Sequence, residues 1–159
     1  MVTIAQFGLI ILLSLFLVLH FAILVKIIPY NLVWGGRLKS DKEMYRFEIF
    51  SILINSLFVI VILVQGSFLT IDIPKKIITY ALWLMTGLFL LNTLGNVTSK
   101  NKLEKRLFIP VTILLAIFSL ILALSNWFEM HYAKQKYLQK LVGLNLCFSS
   151  YGIVDQLFG

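Results

Sequence analysis

The sequence predicts an all-α protein: a bundle of four transmembrane helices with an additional C-terminal amphipathic or irregular segment. Of its 159 residues, 60% are hydrophobic and 13% are charged, and the mean hydropathy is +0.94. Soluble domains are roughly 45–50% apolar, and a water-soluble protein of this length has no core large enough to bury the excess. Four long apolar stretches are the second observation, because each is close to the ~20 residues that cross a bilayer.

The first two spans are predicted over residues 7–25 and 49–69. The first contains only Ser14 and His20 as polar residues. It lacks the basic region that begins a signal peptide, so we expect it to be retained as a span. The second follows Glu48 directly and contains several small polar side chains.

The third and fourth spans are predicted over residues 77–95 and 107–124. Pro110 falls in the predicted first turn of the fourth span, where its missing N–H does least harm. Residues 1–128 are therefore expected to form one four-helix transmembrane domain. Residues 129–159 are predicted to form a tail that lies as an amphipathic helix at the membrane interface, because apolar residues recur there at near-helical spacing: Tyr137, Leu138, Leu141, Leu144 and Phe148.

The distribution of lysine and arginine predicts the orientation. Nine of the 14 basic residues lie in or beside the loops that follow the first and third spans. Cytoplasmic loops of membrane proteins carry such an excess, so both termini are predicted outside and both basic loops inside. This topological bias also accounts for the formal charge of +7, and we predict the lipid bilayer, not nucleic acid, as the partner.

Several polar residues inside the spans are predicted to form a binding cluster. Glu48, Ser51 and Asn55 share one helix face at spacings of i, i+3 and i+7, and the other members fall in the same half of the membrane, next to the basic loops. Polar groups in hydrocarbon are costly and usually face the interior of a bundle. The predicted cluster consists of His20, Glu48, Ser51, Asn55, Asn92 and Asn96.

Two interpretations of this cluster stay open at the level of sequence. Its members can serve only as hydrogen bonds between helices, worth ~0.6 kcal/mol each on average. Alternatively, they line a vestibule for a ligand or an ion that opens to the cytoplasm. In either case we expect Glu48 to point inward, near Arg37, Arg46 or His20.

A second candidate site is a contact for an anion or a lipid headgroup at the cytoplasmic surface. Trp34, Arg37 and Arg46 lie around the paired glycines 35 and 36, where backbone can approach a headgroup closely. The alternative is a helix end followed by a loop, with Trp34 as an interfacial anchor.

Catalytic and metal-binding patterns are lacking in the sequence. Cys147 is the only cysteine, and two histidines and seven acidic residues leave little material for a metal centre. No phosphate-binding loop, zinc motif or nucleophile elbow occurs. The sequence therefore predicts no metal, no cofactor and no enzymatic activity.

Two segments carry a resemblance to a known group of proteins. WGGRLKSDKEMYRFEIFSILIN (residues 34–55) and LLNTLGNVTSKNKLEKRLFIPVTILLA (residues 90–116) resemble a family of small, uncharacterised bacterial multi-pass membrane proteins. The resemblance covers about residues 1–125 and implies a four-helix protein of the bacterial cytoplasmic membrane, without implying an activity. We predict a structural or interaction component of the membrane that contacts another membrane protein or a second copy of itself. The alternative is a protein that binds or transports a small ligand, lipid or ion through a polar site in the cytoplasmic half of the bundle.

Overall fold

A computed structural model of the chain describes residues 1–30, 38–99 and 101–150, except for the side chains of residues 103, 104 and 141–150. Four helices make up the fold: α1 (Val2–Leu24), α2 (Asp41–Gln65), α3 (Lys75–Val97) and α4 (Lys102–Ser150). No strand occurs in these described ranges, so the predicted all-α class is confirmed. All four helices are long and apolar enough to cross a membrane, α4 through its segment Lys105–Lys140.

The helices run alternately up and down. Gln6 at the start of α1 is hydrogen-bonded to Gln65 at the end of α2 over 2.7 Å, so these two helices form an antiparallel hairpin. Lys75 and Glu129 make the equivalent link between α3 and α4, with Nζ and Oε2 separated by 3.3 Å. We call the end of the bundle at which each hairpin turns, between α1 and α2 and between α3 and α4, the basic end.

Helix α2 begins eight residues before its predicted apolar span because its first turn is capped. The Ser40 hydroxyl accepts a hydrogen bond from the backbone N–H of Glu43 over 3.3 Å. The Glu43 carboxylate in turn accepts one from the backbone N–H of Lys39 over 2.9 Å. This reciprocal arrangement resembles a capping box, which satisfies backbone donors that a helix start otherwise leaves free. The apolar stretch marks the part suited to lipid, whereas the cap sets where the helix starts.

Helix α4 also begins earlier than predicted, and this corrects the position of Pro110. Because α4 starts at Lys102, Pro110 lies inside the helix and not in its first turn. The proline therefore removes one backbone hydrogen bond from the helix interior. At the other end, α4 continues without a break past Glu129 to Ser150, so the predicted tail is helical and continuous with the fourth span over its described part.

Helices α1 and α2 end in the same way. Lys26 and Ser67 both adopt a left-handed conformation, with φ of 61° and 59°. The next residue then donates its N–H back into the helix, from Ile27 to the Ala22 carbonyl and from Phe68 to the Leu63 carbonyl, each over 2.9 Å. This is the Schellman pattern, which usually has glycine at the left-handed position. Both helices therefore stop where the hydrogen-bond geometry turns the chain back.

The contacts between helices are unequal. Helices α3 and α4 pack against each other most extensively, and α1 touches both α2 and α4, whereas α2 and α3 make few contacts. Small residues let α4 approach its neighbours closely, as is usual between membrane helices, and Ala116, Ser119 and Ala123 are buried there. The bundle is therefore closed on three sides and loosely joined on the fourth.

Candidate functional site

A buried hydrogen bond between histidine and glutamate joins α1 to α2 near the basic end. His20 Nδ1 and Glu48 Oε2 are 2.6 Å apart, and the Glu48 side chain has no exposed surface. His20 lies four residues before the end of α1, and Glu48 lies in the third turn of α2. The antiparallel hairpin brings these levels together, so Glu48 points inward towards His20.

A cavity of about 500 Å³ adjoins this pair and lies between the two hairpins. Its lining includes Phe50 of α2 and Leu91 of α3, which expose 63% and 64% of their surface, and these two helices make few contacts with each other, so we infer that its mouth lies between them. An opening between two neighbouring helices would face lipid in a membrane. All members of the predicted polar cluster except Glu48 line the cavity: His20, Ser51, Asn55, Asn92 and Asn96.

The polar side chains of the cavity are held by local hydrogen bonds. Asn55 donates from Nδ2 to the backbone carbonyl of Ser51 over 2.8 Å. Asn96 donates from Nδ2 to the Thr112 hydroxyl over 3.5 Å. Thr112 is itself buried, and its hydroxyl lies 2.9 Å from that of Thr93. These bonds fix the direction of the amides while leaving part of each amide available to an occupant.

Aromatic rings close the cavity on two sides. Phe16 and Phe108 face each other with ring centroids 5.9 Å apart and form the wall between α1 and α4. Phe58 and Phe89 meet edge to face at 5.7 Å and form the floor towards the middle of the bundle. The cavity thus combines polar side chains towards the basic end with apolar walls, which is the usual composition of a small-molecule site.

Arg46, the one member of the second candidate site that the structure describes, and the nearby Lys26 lie outside the cavity. Lys26 is bound to Asp41 over 2.5 Å and lies over the ring of Tyr45 at 5.6 Å from its centroid. The hydrogen bond to Asp41 raises the pKa of Lys26 above its ordinary value. Arg46 is exposed and, like Lys26, is not among the residues that line the cavity.

The remaining members of that second site, Trp34 and Arg37, lie outside the described residues. The predicted headgroup contact at Trp34, Arg37 and Arg46 therefore stays a prediction. The residues of the predicted polar cluster, by contrast, are all described: the structure brings five of them to one cavity and buries the sixth beside it.

Sequence reasoning missed Thr112 and the aromatic rings. Thr112 lies in a span whose polar content is small, and a threonine in a membrane helix commonly bonds its own backbone, as Thr112 also does with the carbonyl of Phe108. Its place in the cavity wall depends on how α4 is rotated against α3. Helical spacing within one segment carries no information on that rotation.

Metal-binding geometry is not found in the described part of the chain, where no three His, Cys, Asp or Glu side chains are placed to hold an ion.

The comparisons with known proteins returned no match to any family model, curated protein or solved structure. The interpretation of the site therefore rests on its geometry.

Proposed function

We propose that this chain is a membrane protein that binds an amphipathic molecule taken from the surrounding lipid. The observation that carries the proposal is the cavity, which opens sideways between α2 and α3 and holds polar side chains at one end. An occupant would place its polar group near Asn55, Asn92 and Asn96 and its apolar part against the rings. Burial of polar groups in hydrocarbon is expensive, and an occupant that hydrogen-bonds to them would offset that cost.

The sideways opening favours a lipid-soluble occupant over an ion. An ion would need a water-filled path along the bundle axis. Instead, the Phe58–Phe89 contact and the buried apolar residues beyond it occupy the middle of the bundle. We therefore propose binding and not conduction. A structural role, and association with a second copy or another membrane protein, stay predictions.

We further propose the cytoplasmic membrane of a bacterium as the location, with the basic end inside, in line with the resemblance stated above. The support is the excess of lysine and arginine at that end, which would place the cavity in the cytoplasmic half of the bilayer. In a Cys147→Ser background, a cysteine introduced at Lys39, in the connection before α2, should react with a membrane-impermeant maleimide only after the cells are permeabilised. Labelling of intact cells would contradict this orientation.

Two glycines of α3 supply a matched test of the cavity. Gly95 lines it, whereas Gly87 does not, and a Cβ added at either position meets nothing within 4 Å. Gly95→Phe should place a ring in the cavity without disturbing the helices, and Gly87→Phe should place the same ring outside it. We expect Gly95→Phe to weaken binding of an amphiphile about tenfold, or 1.4 kcal/mol, and Gly87→Phe to leave it unchanged.

The measurement is native mass spectrometry of the detergent-solubilised chain with hexadecanol, hexadecanoate and hexadecyltrimethylammonium, which share one saturated chain. The proposal expects at least one of these probes to bind the unmodified protein. Binding of none of them, or equal weakening by the two glycine variants, would contradict it. Thermal unfolding of both variants checks that the bundle is intact.

A further inference from the structure

Apart from His20, which is bonded to Glu48, the polar groups that line the cavity are uncharged. They comprise the amides of Asn55, Asn92 and Asn96 and the hydroxyls of Ser51 and Thr112. An amide offers both a carbonyl acceptor and N–H donors, so this lining can bond a group that donates, accepts or does both. An oxygen of a hydroxyl or carbonyl group matches such a lining.

Asn92 is the amide most available to an occupant. Its side chain is exposed and lines the cavity. Whereas Asn55 and Asn96 each use one N–H on a neighbour, Asn92 has no comparable hydrogen bond to another described residue. Its whole amide can therefore turn towards a bound headgroup.

The charges near the cavity are already matched to one another. The carboxylate of Glu48 is fully buried and does not line the cavity, whereas its partner His20 does, with Nδ1 held by that carboxylate. Lys26 is bound to Asp41. No lysine, arginine or aspartate lines the cavity in the described part of the chain.

This arrangement disfavours a charged headgroup. A charge moved into hydrocarbon without a partner costs several kcal/mol, and the cavity presents no lysine, arginine or aspartate to neutralise it. Most of its other lining is phenylalanine and leucine, including Phe47, Phe50 and Leu88 around the mouth. A neutral headgroup avoids the penalty and still bonds to the amides, while its chain can leave through the mouth into lipid.

We infer that the occupant is a neutral lipid whose headgroup carries a hydroxyl or carbonyl oxygen, bound by the amides of Asn55, Asn92 and Asn96. This inference rests on the proposed function, because it names the class of molecule that the same cavity selects. The specificity comes from amide hydrogen bonds and from the charges of the described lining, in which His20 is the one titratable residue and is already held by Glu48.

The test compares the same probes by headgroup. Hexadecanol should bind the unmodified protein about tenfold more tightly than hexadecanoate or hexadecyltrimethylammonium, since only the charged probes bring an unmatched charge into the cavity. Native mass spectrometry of the full chain in detergent gives the bound fractions. Equal or tighter binding of either charged probe would overturn the inference.

A variant of nearly the same shape sharpens this test. Asn92→Asp replaces the available amide by a carboxylate and should raise the affinity for hexadecyltrimethylammonium about tenfold, since it supplies the missing partner charge. An unchanged preference in that variant would mean that Asn92 does not contact the headgroup and would also overturn the inference.

The two proposals fail in different ways. If the probes all bind equally and Gly95→Phe blocks them all, the cavity binds amphiphiles but does not select a neutral headgroup. If no probe binds and Gly95→Phe behaves as Gly87→Phe does, the binding function itself is wrong.

Discussion

Replacing Glu48 by alanine should lower the free energy of unfolding by about 3 kcal/mol, the lower end of what breaking a buried pair costs. Glu48 is fully buried and its carboxylate is 2.6 Å from His20 Nδ1. The substitution removes the carboxylate from His20 Nδ1 and with it one polar link between α1 and α2 near the basic end. Unfolding in mixed micelles, titrated with sodium dodecyl sulfate, measures the change. Glu48→Gln should lower the free energy of unfolding by less, because its amide oxygen can still accept a hydrogen bond from the N–H of the His20 ring.

An exposed pair in the same chain provides the control. Glu129 is 61% exposed and lies 3.3 Å from Lys75. Removing an exposed partner costs about 0–1 kcal/mol, so Glu129→Ala should change stability little. A double-mutant cycle with His20→Ala isolates the coupling between His20 and Glu48. Additive effects in that cycle would show that Glu48 stabilises the bundle by some route other than His20.

Replacing Gly8 by valine should have the next largest effect, a loss of about 2 kcal/mol from overpacking. A Cβ at Gly8 would lie 2.4 Å from Cε2 and 2.8 Å from Cδ2 of the Phe118 ring. That ring packs against the core between α1 and α4, so it has to leave its position or push the helices apart. The same micelle titration detects the loss.

The matched control for Gly8 is Gly87→Val, because a Cβ at Gly87 meets no atom within 4 Å. A compensating variant tests the cause directly: Phe118→Leu, which shortens the obstructing side chain, should recover at least half of the stability lost in Gly8→Val. Losses that simply add in the double variant would show that the ring is not the obstacle.

The sequence predicted the number, order and class of the helices, because length and hydropathy decide whether a segment can span a membrane. It did not predict where they begin. Residues 41–48 are largely polar and so predict a loop, yet they are helical behind the cap at Ser40. Helix α4 likewise starts before its apolar span, at Lys102, so Pro110 is internal.

The candidate site was predicted in part. Spacing on α2 placed Glu48, Ser51 and Asn55 on one face, and the structure puts that face next to the cavity. The pairing of Glu48 with His20, and not with Arg46, depends on the contact between two helices that are apolar around most of their circumference. Such helices give no amphipathic signal for the buried side. The gap between α2 and α3 could not be predicted from the sequence either, because it depends on how several helices pack and not on any one segment.

The polar cross-links explain how the cavity could admit a molecule. Gln6 with Gln65 and His20 with Glu48 lie within the first hairpin, and Thr86 with Ser119 and Thr93 with Thr112 lie within the second. The two hairpins meet chiefly where α1 touches α4. The hairpins can therefore move apart about the contact between α1 and α4. This motion would widen the gap between α2 and α3 and admit a molecule without breaking any of these hydrogen bonds.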